Sequence, residues 1–286
     1  MPRGDPLLAW YAPRRRAYPW RGERDPYRVL VAEVMLQQTQ ARRVAPAYGA
    51  FLRTFPSLRA LARAPRADVL RAWSGLGYNR RAALLHEAAG AVVRDHAGRL
   101  PRDPAVLRGL PGIGPYTAAA VAALAFGAPL PAVDVNVARV VSRARLGRDR
   151  APVREVELAA SRWLAGSDPA DWNQAVMDLG RGVCRAVPRC GACPLAARCR
   201  FRRMGAPPSP PRRRGEPFAG SAREVRGRVL RLVLGGRTTL ARLAREMEEP
   251  LVRVAAAVRS LHREELLRAG PAALAGRGSG RVGPVV

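Results

Sequence analysis

The sequence predicts an all-α protein, and three observations lead to that reading. Apolar residues recur at three- and four-residue spacing through 44–55, 58–73, 82–93 and 153–164, the period of a helix with one buried face. Turn signals separate these runs, at Phe55-Pro56, Ser74-Gly75, Gly98 to Pro101 and Gly166 to Pro169. The alternation of a half-buried strand is not seen. At 286 residues the chain can bury a full core, and one or two domains are expected.

The first chemically informative element is a helix over 27–39, YRVLVAEVMLQQT, with Glu33 among Val29, Leu30, Val31, Val34, Met35 and Leu36. Desolvation raises a carboxyl pKa, and a carboxyl that keeps its proton near neutrality can act as a general acid. The same residue could instead close an internal salt bridge to one of the many arginines. Gln37, Gln38 and Thr39 end the run with polar side chains that suit either the gap left by an extruded base or a helix end.

The segment 110–137, LPGIGPYTAAAVAALAFGAPLPAVDVNV, combines a Gly112/Gly114 turn, an apolar helix and a lone acid, Asp134. A glycine turn at a helix start directs backbone N–H groups outward, which suits a phosphate oxygen. Asp134 reads as an N-cap. It also suits the ionised partner of a protonated Glu33, the carboxylate pairing that breaks glycosidic bonds.

Cys184, Cys190, Cys193 and Cys199 are the only cysteines, spaced C-x5-C-x2-C-x5-C. Without oxidising context four thiolates read as a metal site, zinc or iron–sulfur, with every ligand position filled and so structural in role. Arg181, Arg185, Arg189, Arg198 and Arg200 surround them.

Residues 204–222 are rich in Pro, Gly and Arg and read as a linker. Beyond it, helices are expected from Val225 to Leu234, over an apolar face of Leu240, Leu243 and Met247 capped by Thr238 or Thr239, and after Pro250 with Leu251, Val254, Val258 and Leu261 facing inward. This helix-turn-helix or winged-helix-like unit spans 223–270, and the Gly-rich 271–286 is expected to be a disordered tail.

The net charge of +28 points to a polyanion, because arginine–phosphate contacts release counterions. All 50 basic residues are arginine and none is lysine, so no side chain offers an amine nucleophile. The longest apolar run, 117–126, is too short to span a bilayer, no targeting segment is apparent, and a cytoplasmic, nucleoid-associated protein is expected.

The PGIG turn, apolar helix and Asp134 resemble the helix-hairpin-helix DNA glycosylase superfamily, and the cysteine loop is similar to its endonuclease III branch. YPWRGERDPYRVLVAEVMLQQTQ and WSGLGYNRRAALLH resemble the adenine DNA glycosylase (MutY-type) family over residues 7–203. The resemblance implies a six-helix domain over about 20–130, an iron–sulfur helical domain of 1–19 plus 131–203, and a 4Fe-4S cluster rather than zinc. It implies removal of adenine mispaired with 8-oxoguanine or guanine in base excision repair, by a monomer acting on double-stranded DNA. Glu33 matches the family's general acid, Asp134 the carboxylate facing the sugar cation and Asn136 its supporting amide. Tyr116 stands where strand-cutting relatives carry a Schiff-base lysine. Trp20 and Arg21 match residues near the extruded base, and Gln38 and Tyr78 match side chains that enter the duplex. Leu76, beside Tyr78, joins the expected interface.

Three features depart from the family pattern. The first cysteine gap is five residues rather than six, and Gln174 stands where relatives often carry Glu near the substrate. The region after 204 is too short and too helical for the Nudix-like domain by which longer members read 8-oxoguanine. The alternatives are a thymine, uracil or hypoxanthine mismatch glycosylase on the same fold and, more remotely, a non-catalytic iron–sulfur DNA-binding regulator.

Overall fold

A computed structural model describes residues 5–15, 17–205, 207–210 and 217–285. In chain order the helices are α1 (Pro6–Tyr11), α2 (Pro26–Leu36), α3 (Ala41–Thr54), α4 (Leu58–Arg63), α5 (Arg66–Ala72), α6 (Arg80–Asp95), α7 (Pro104–Arg108), α8 (Pro115–Phe126), α9 (Val135–Leu146), α10 (Val153–Leu164), α11 (Pro169–Gly182) and α12 (Arg200–Arg203). The C-terminal region follows as α13 (Ala222–Leu234), β1 (Thr238–Thr239), α14 (Leu240–Met247), α15 (Leu251–Arg263), β2 (Leu267–Ala269), α16 (Pro271–Leu274) and β3 (Arg281–Pro284). Among the described residues no helix is long and apolar enough to cross a membrane.

Two compact units emerge, one of 1–33 with 100–213 and one of 34–99 with 214–286, so the division falls within α2. In the first, α9 and α11 pack together and against α1 and α10, and the core comprises Leu7, Tyr11, Val137, Val141, Val156, Leu164, Trp172, Val176 and Leu179. Trp163 and Trp172 meet edge to face, with centroids 5.7 Å apart. Asp5, Asp103, Asp134 and Asp168 each cap a helix in this unit by accepting backbone N–H bonds, so its helix starts are written into the sequence.

In the second unit the periodic run 58–73 is two helices rather than one. Pro65 has no N–H to continue a helix and holds Ala64 extended, so α4 ends and α5 starts afresh. Phe51 packs edge to face on Phe55 and Trp73. Of the linker expected at 204–222, residues 206 and 211–216 lie outside the described residues, and α13 already starts at Ala222, capped by Ser221.

The C-terminal region corrects three expectations. A three-stranded antiparallel sheet of order β1-β3-β2 is present, so this part is not purely helical. Its strands, two to four residues long, are too short to leave an alternating pattern. The tail expected to be disordered over 271–286 is structured across its described residues, 271–285, because β3 is the central strand. The loop before it is tied by Leu240 N–H to Gly280 C=O at 2.9 Å and Ala241 N–H to Gly278 C=O at 2.9 Å. Its glycines permit close backbone approach, since a Cβ on Gly280 would lie 2.1 Å from the Ala273 nitrogen. Finally, Leu251 is exposed, whereas Val254, Val258 and Leu261 are buried as expected. Thr239 rather than Thr238 caps α14.

Gly280→Ala is therefore expected to destabilise the C-terminal unit by about 1–3 kcal/mol, as overpacking against a backbone does. Thermal unfolding should show a melting temperature several degrees lower. An unchanged melt would mean that β3 shifts without cost.

Candidate active site and nucleic-acid interface

In the first unit the expected hairpin joins α7 to α8. Gly112 has φ 72°, the left-handed region that favours glycine, and Gly114 precedes Pro115 at the first turn of α8. No side chain caps α8, and a Cβ on Gly114 would meet nothing within 4 Å. Leu110 and Ile113 are buried and anchor the turn.

Glu33 is 6% exposed on an apolar helix. Burial pushes its carboxyl up to about 7, against the opposing pull of a hydrogen bond with Tyr116 and of the Arg21 and Arg181 charges, while Asp134 pushes in the same direction as burial. These influences place Glu33, Tyr116, Asp134, Arg21 and Arg181 within one electrostatic neighbourhood. The Tyr116 phenol is held well above its ordinary range, chiefly by burial and then by Glu33 and Asp134, so it keeps its proton as a donor. Its hydroxyl also lies 3.3 Å from Met177 Sδ.

Asp134 caps α9. Oδ1 accepts from Asn136 N–H at 2.8 Å and Val137 N–H at 2.7 Å, and Oδ2 accepts from Asn136 Nδ2 at 2.7 Å. Asn136, through its backbone N–H and its side-chain amide, orients the carboxylate that caps α9. Asn136 Oδ1 accepts from Arg139 Nη2 at 2.8 Å, and the same guanidinium donates to the backbone carbonyls of Gly180 and Cys184 at 2.8 and 2.6 Å.

Three supports of Asp134 were missed in the sequence. Besides Arg139 there is Asn173, fully buried, which accepts from Ala132 N–H at 2.7 Å and donates to Leu130 C=O and Pro169 C=O, fixing the loop that enters Asp134. Gly180 lets α11 approach α9, since a Cβ there would lie 2.8 Å from Asn136 Cβ. A buried polar residue beside Gln174 was the one available signal for Asn173. The tertiary contacts of the other two leave none.

Trp20 is nearly buried and stacks on Tyr18 at 5.0 Å. Arg21 binds Tyr11 Oη at 3.1 Å and forms a nearly buried ion pair with Asp178 at 2.8 Å. Arg21 Nε and Asp178 Oδ2 are buried with no hydrogen-bond partner among the described residues. Gln174 is buried, and its carbonyl oxygen accepts from Tyr11 Oη at 2.8 Å. One edge of the amide expected to meet a base is therefore already engaged within the protein.

Gln37, Gln38, Thr39, Leu76 and Tyr78 belong to the second unit. Arg81, also missed in the sequence, brings their two loops together. Nη1 donates to the carbonyls of Val34, Met35 and Gln37 at 2.7, 3.0 and 2.6 Å, and Nη2 donates to Thr39 Oγ1 and Gly77 C=O at 3.0 and 3.1 Å. Its guanidinium also lies over Trp73 and Tyr78, and burial lowers its pKa to about 10. Gln38 and Tyr78 adopt positive φ, 54° and 49°, a conformation strained for side chains of their kind that Ala97, Glu248 and Glu265 also adopt elsewhere. Tyr78 is exposed. Leu76 is buried at 4% exposure, which corrects its place in the interface: it anchors the loop from below.

Cys184, Cys190, Cys193 and Cys199 are each partly buried. Burial, with the other three cysteines as smaller contributions, pushes the Cys193 thiol up to about 11, so the four lie within electrostatic range of one another. Arg143, 2% exposed, pins the loop through Arg185 C=O at 2.6 Å and Ala186 C=O at 2.9 Å, and pairs with Asp149. The donor set is all-thiol, the chemistry an iron–sulfur cluster requires. No three His, Cys, Asp or Glu side chains among the described residues converge as ligands of an ion.

Comparison with known proteins places this geometry. Residues 31–165 match the model described as "HhH-GPD superfamily base excision DNA repair protein". The chain is 43% identical over 240 residues to the adenine DNA glycosylase of Mycolicibacterium smegmatis, an alignment covering 82% of each chain. Among solved structures, a thermostable thymine-DNA glycosylase aligns with TM-score 0.65 and 31% identity, over 70% of this chain and 94% of that one. A trapped endonuclease III–DNA covalent intermediate aligns with TM-score 0.61 and 25% identity, over the same shares.

The carboxyl environment makes two measurable statements. Tyr116→Phe removes a hydrogen bond that lowers the Glu33 pKa, so the carboxyl titration followed by NMR should move above about 7. A downward move would show that Tyr116 does not favour the carboxylate. Because the folded pKa lies above the ordinary glutamate value of 4.5, protonated Glu33 contributes stability that is complete below about pH 4.5 and is lost as pH rises through about 7. Glu33→Gln should abolish that part of the pH dependence in denaturant titrations, an effect on the order of 3 kcal/mol.

Proposed function

Because the chain belongs to the adenine DNA glycosylases of the HhH-GPD superfamily, we propose that it hydrolyses the N-glycosidic bond of adenine mispaired with 8-oxoguanine or guanine and leaves an abasic site. The observation that carries the reading is Glu33, a buried carboxyl held at about 7 with Asp134 in its electrostatic neighbourhood. One group stays protonated near neutrality while the other accepts three N–H bonds, the division of labour that breaking a glycosidic bond requires.

The mismatched adenine is extruded, at an unstacking cost that a mismatch lowers. Glu33 gives its proton to a ring nitrogen of the adenine, and the bond between base and C1′ breaks with its electron pair leaving on the base. Asp134, oriented by Asn136, stabilises the oxocarbenium-like sugar. Water adds to C1′ and releases a proton, completing hydrolysis. Tyr116 holds the Glu33 carboxyl in place. It occupies a position where a lysine would offer an amine, and with no lysine in the chain the reaction ends at the abasic site. Trp20 and Arg21 line the base, the Gln174 amide meets its edge, Gly112 and Gly114 hold a strand phosphate, and Gln37, Gln38, Thr39 and Tyr78 meet the duplex. Cys184, Cys190, Cys193 and Cys199 would hold a 4Fe-4S cluster, which supplies structural cross-linking of their loop. The enzyme works as a monomer on double-stranded DNA.

Glu33→Gln is expected to lower single-turnover adenine release by at least ~10²-fold, the scale of general-acid catalysis, with mismatch affinity retained. Equal loss of binding would make Glu33 a structural ion-pair partner instead. The wild-type rate should fall as pH rises through about 7, as Glu33 loses its proton.

A panel of duplexes carrying A opposite 8-oxoguanine, A opposite G, T or U opposite G, and hypoxanthine tests base choice. Release of thymine with no release of adenine would overturn the proposal in favour of the chemistry named for the solved thymine-DNA glycosylase. Efficient borohydride trapping would overturn the hydrolytic step.

A further inference from the structure

The C-terminal region has the order helix, strand, helix, helix, strand, strand of a winged helix, with α16 inserted between the last two strands. α15 is its third helix. Val254, Ala255, Ala257, Val258 and Leu261 bury one face of α15. Val252, Ala256, Arg259 and Arg263 recur at four, three and four residues, and so form a single stripe on another. Val252 is 70% exposed, and Ala256 and Arg263 are exposed too.

The wing adjoins this stripe, because Arg259 Nη1 donates to Leu274 C=O at 3.4 Å and lies 3.9 Å from where a Cβ on Gly276 would stand. In the sheet, Leu267, Ala269 and Val282 share one side by register and Arg268, Gly283 and Arg281 the other. Arg237 packs over Gly283 on that second side, 3.3 Å from the position of a Cβ.

Charge is sorted across the unit. Glu246, Glu249, Glu264 and Glu265 are spent on Arg242, Arg228 and Arg253, Arg226 and Arg66. Arg237, Arg259, Arg263, Arg268, Arg277 and Arg281 form no ion pair among the described residues and fall on the α15 stripe and the sheet with its wing; Arg231 on α13 and Arg245 on α14 are exposed and form none either. The α15 stripe and residues 266–285 contain no carboxylate of their own, and such a surface fits a polyanion.

We propose that this winged helix is a second, sequence-independent contact to duplex DNA, with the unpaired arginines on backbone phosphates. Val252 and Ala256, the stripe's side chains nearest the helix start, can donate no hydrogen bond to a base edge, so affinity comes from phosphates rather than from hydrogen-bonded readout by these side chains. The inference rests on the reading that the chain works on duplex DNA, but its test needs no base release.

The test uses the full chain and an undamaged duplex. Each phosphate contact contributes about 0.9 to the slope of log affinity against log salt, so replacing Arg263, Arg268 and Arg277 together by alanine should lower the slope by about 3 and weaken binding at least ~10-fold at low salt. The corresponding triple lysine variant, which keeps the point charges, should restore most of the slope. Replacing exposed Arg150, Arg154 and Arg162 of the first unit by alanine removes the same charge and should leave the slope unchanged. Equal slope losses in both alanine triples would overturn the proposal as a generic charge effect. An unchanged slope in the wing triple would overturn it and leave this face to a protein partner. A strong preference for one duplex sequence would overturn the phosphate-only mode. Absence of base release from wild type, with the slopes as expected, would instead count against the proposed glycosylase reaction alone.

Discussion

The hydrogen bond between Tyr116 and Glu33 joins two groups that burial would separately forbid to ionise. A carboxylate taken out of water without compensation would be driven far up in pKa, and it would then hold its proton too tightly to give it away. Tyr116, Arg21 and Arg181 moderate that penalty, and Asp134 adds to it. The balance leaves a carboxyl near neutrality, and it exists only while all four neighbours keep their places. The rest of the first unit can be understood as the scaffold that holds them there.

That scaffold acts mainly on Asp134. A carboxylate at a helix start is fixed along the axis by the N–H groups it caps, but its reach from the core depends on the helix as a body. α9 is set by the close approach of α11 at Gly180, and the loop entering it is set by Asn173. Arg139 then ties Asn136 to the backbone of Gly180 and Cys184. The cysteine loop would thereby share its rigidity with Asp134.

Much of this was legible in the sequence, for a physical reason. Glu33 and Asp134 each interrupt an apolar run, and an unlikely residue in a strong pattern is a local signal. The helix caps, the hairpin glycines and the cysteine spacing are local too. What could not be read was tertiary. Asn173, Gly180, Arg81 and Arg139 act through partners at least 30 residues away or through a contact that exists only once two helices meet. The C-terminal sheet escaped for a different reason: β3 pairs through backbone groups in a Gly-rich stretch, where side chains carry no periodicity.

The arginine content has two meanings that composition merges. A charge of +28 suggests a surface made for phosphate, yet Arg81, Arg139 and Arg143 are drawn inward, each holding two or more backbone carbonyls with one planar fork. Lysine could not replace them, since a point charge on a flexible stem cannot satisfy several acceptors in fixed directions. Burial lowers the Arg81 and Arg139 pKa values, but from a starting value high enough that both stay charged at neutral pH. A chain without lysine therefore gains internal staples from the residue that also serves its surface. The charge available to DNA is the smaller set left over after these staples and the ion pairs are counted, and in the C-terminal region that remainder includes the arginines of α15 and the wing.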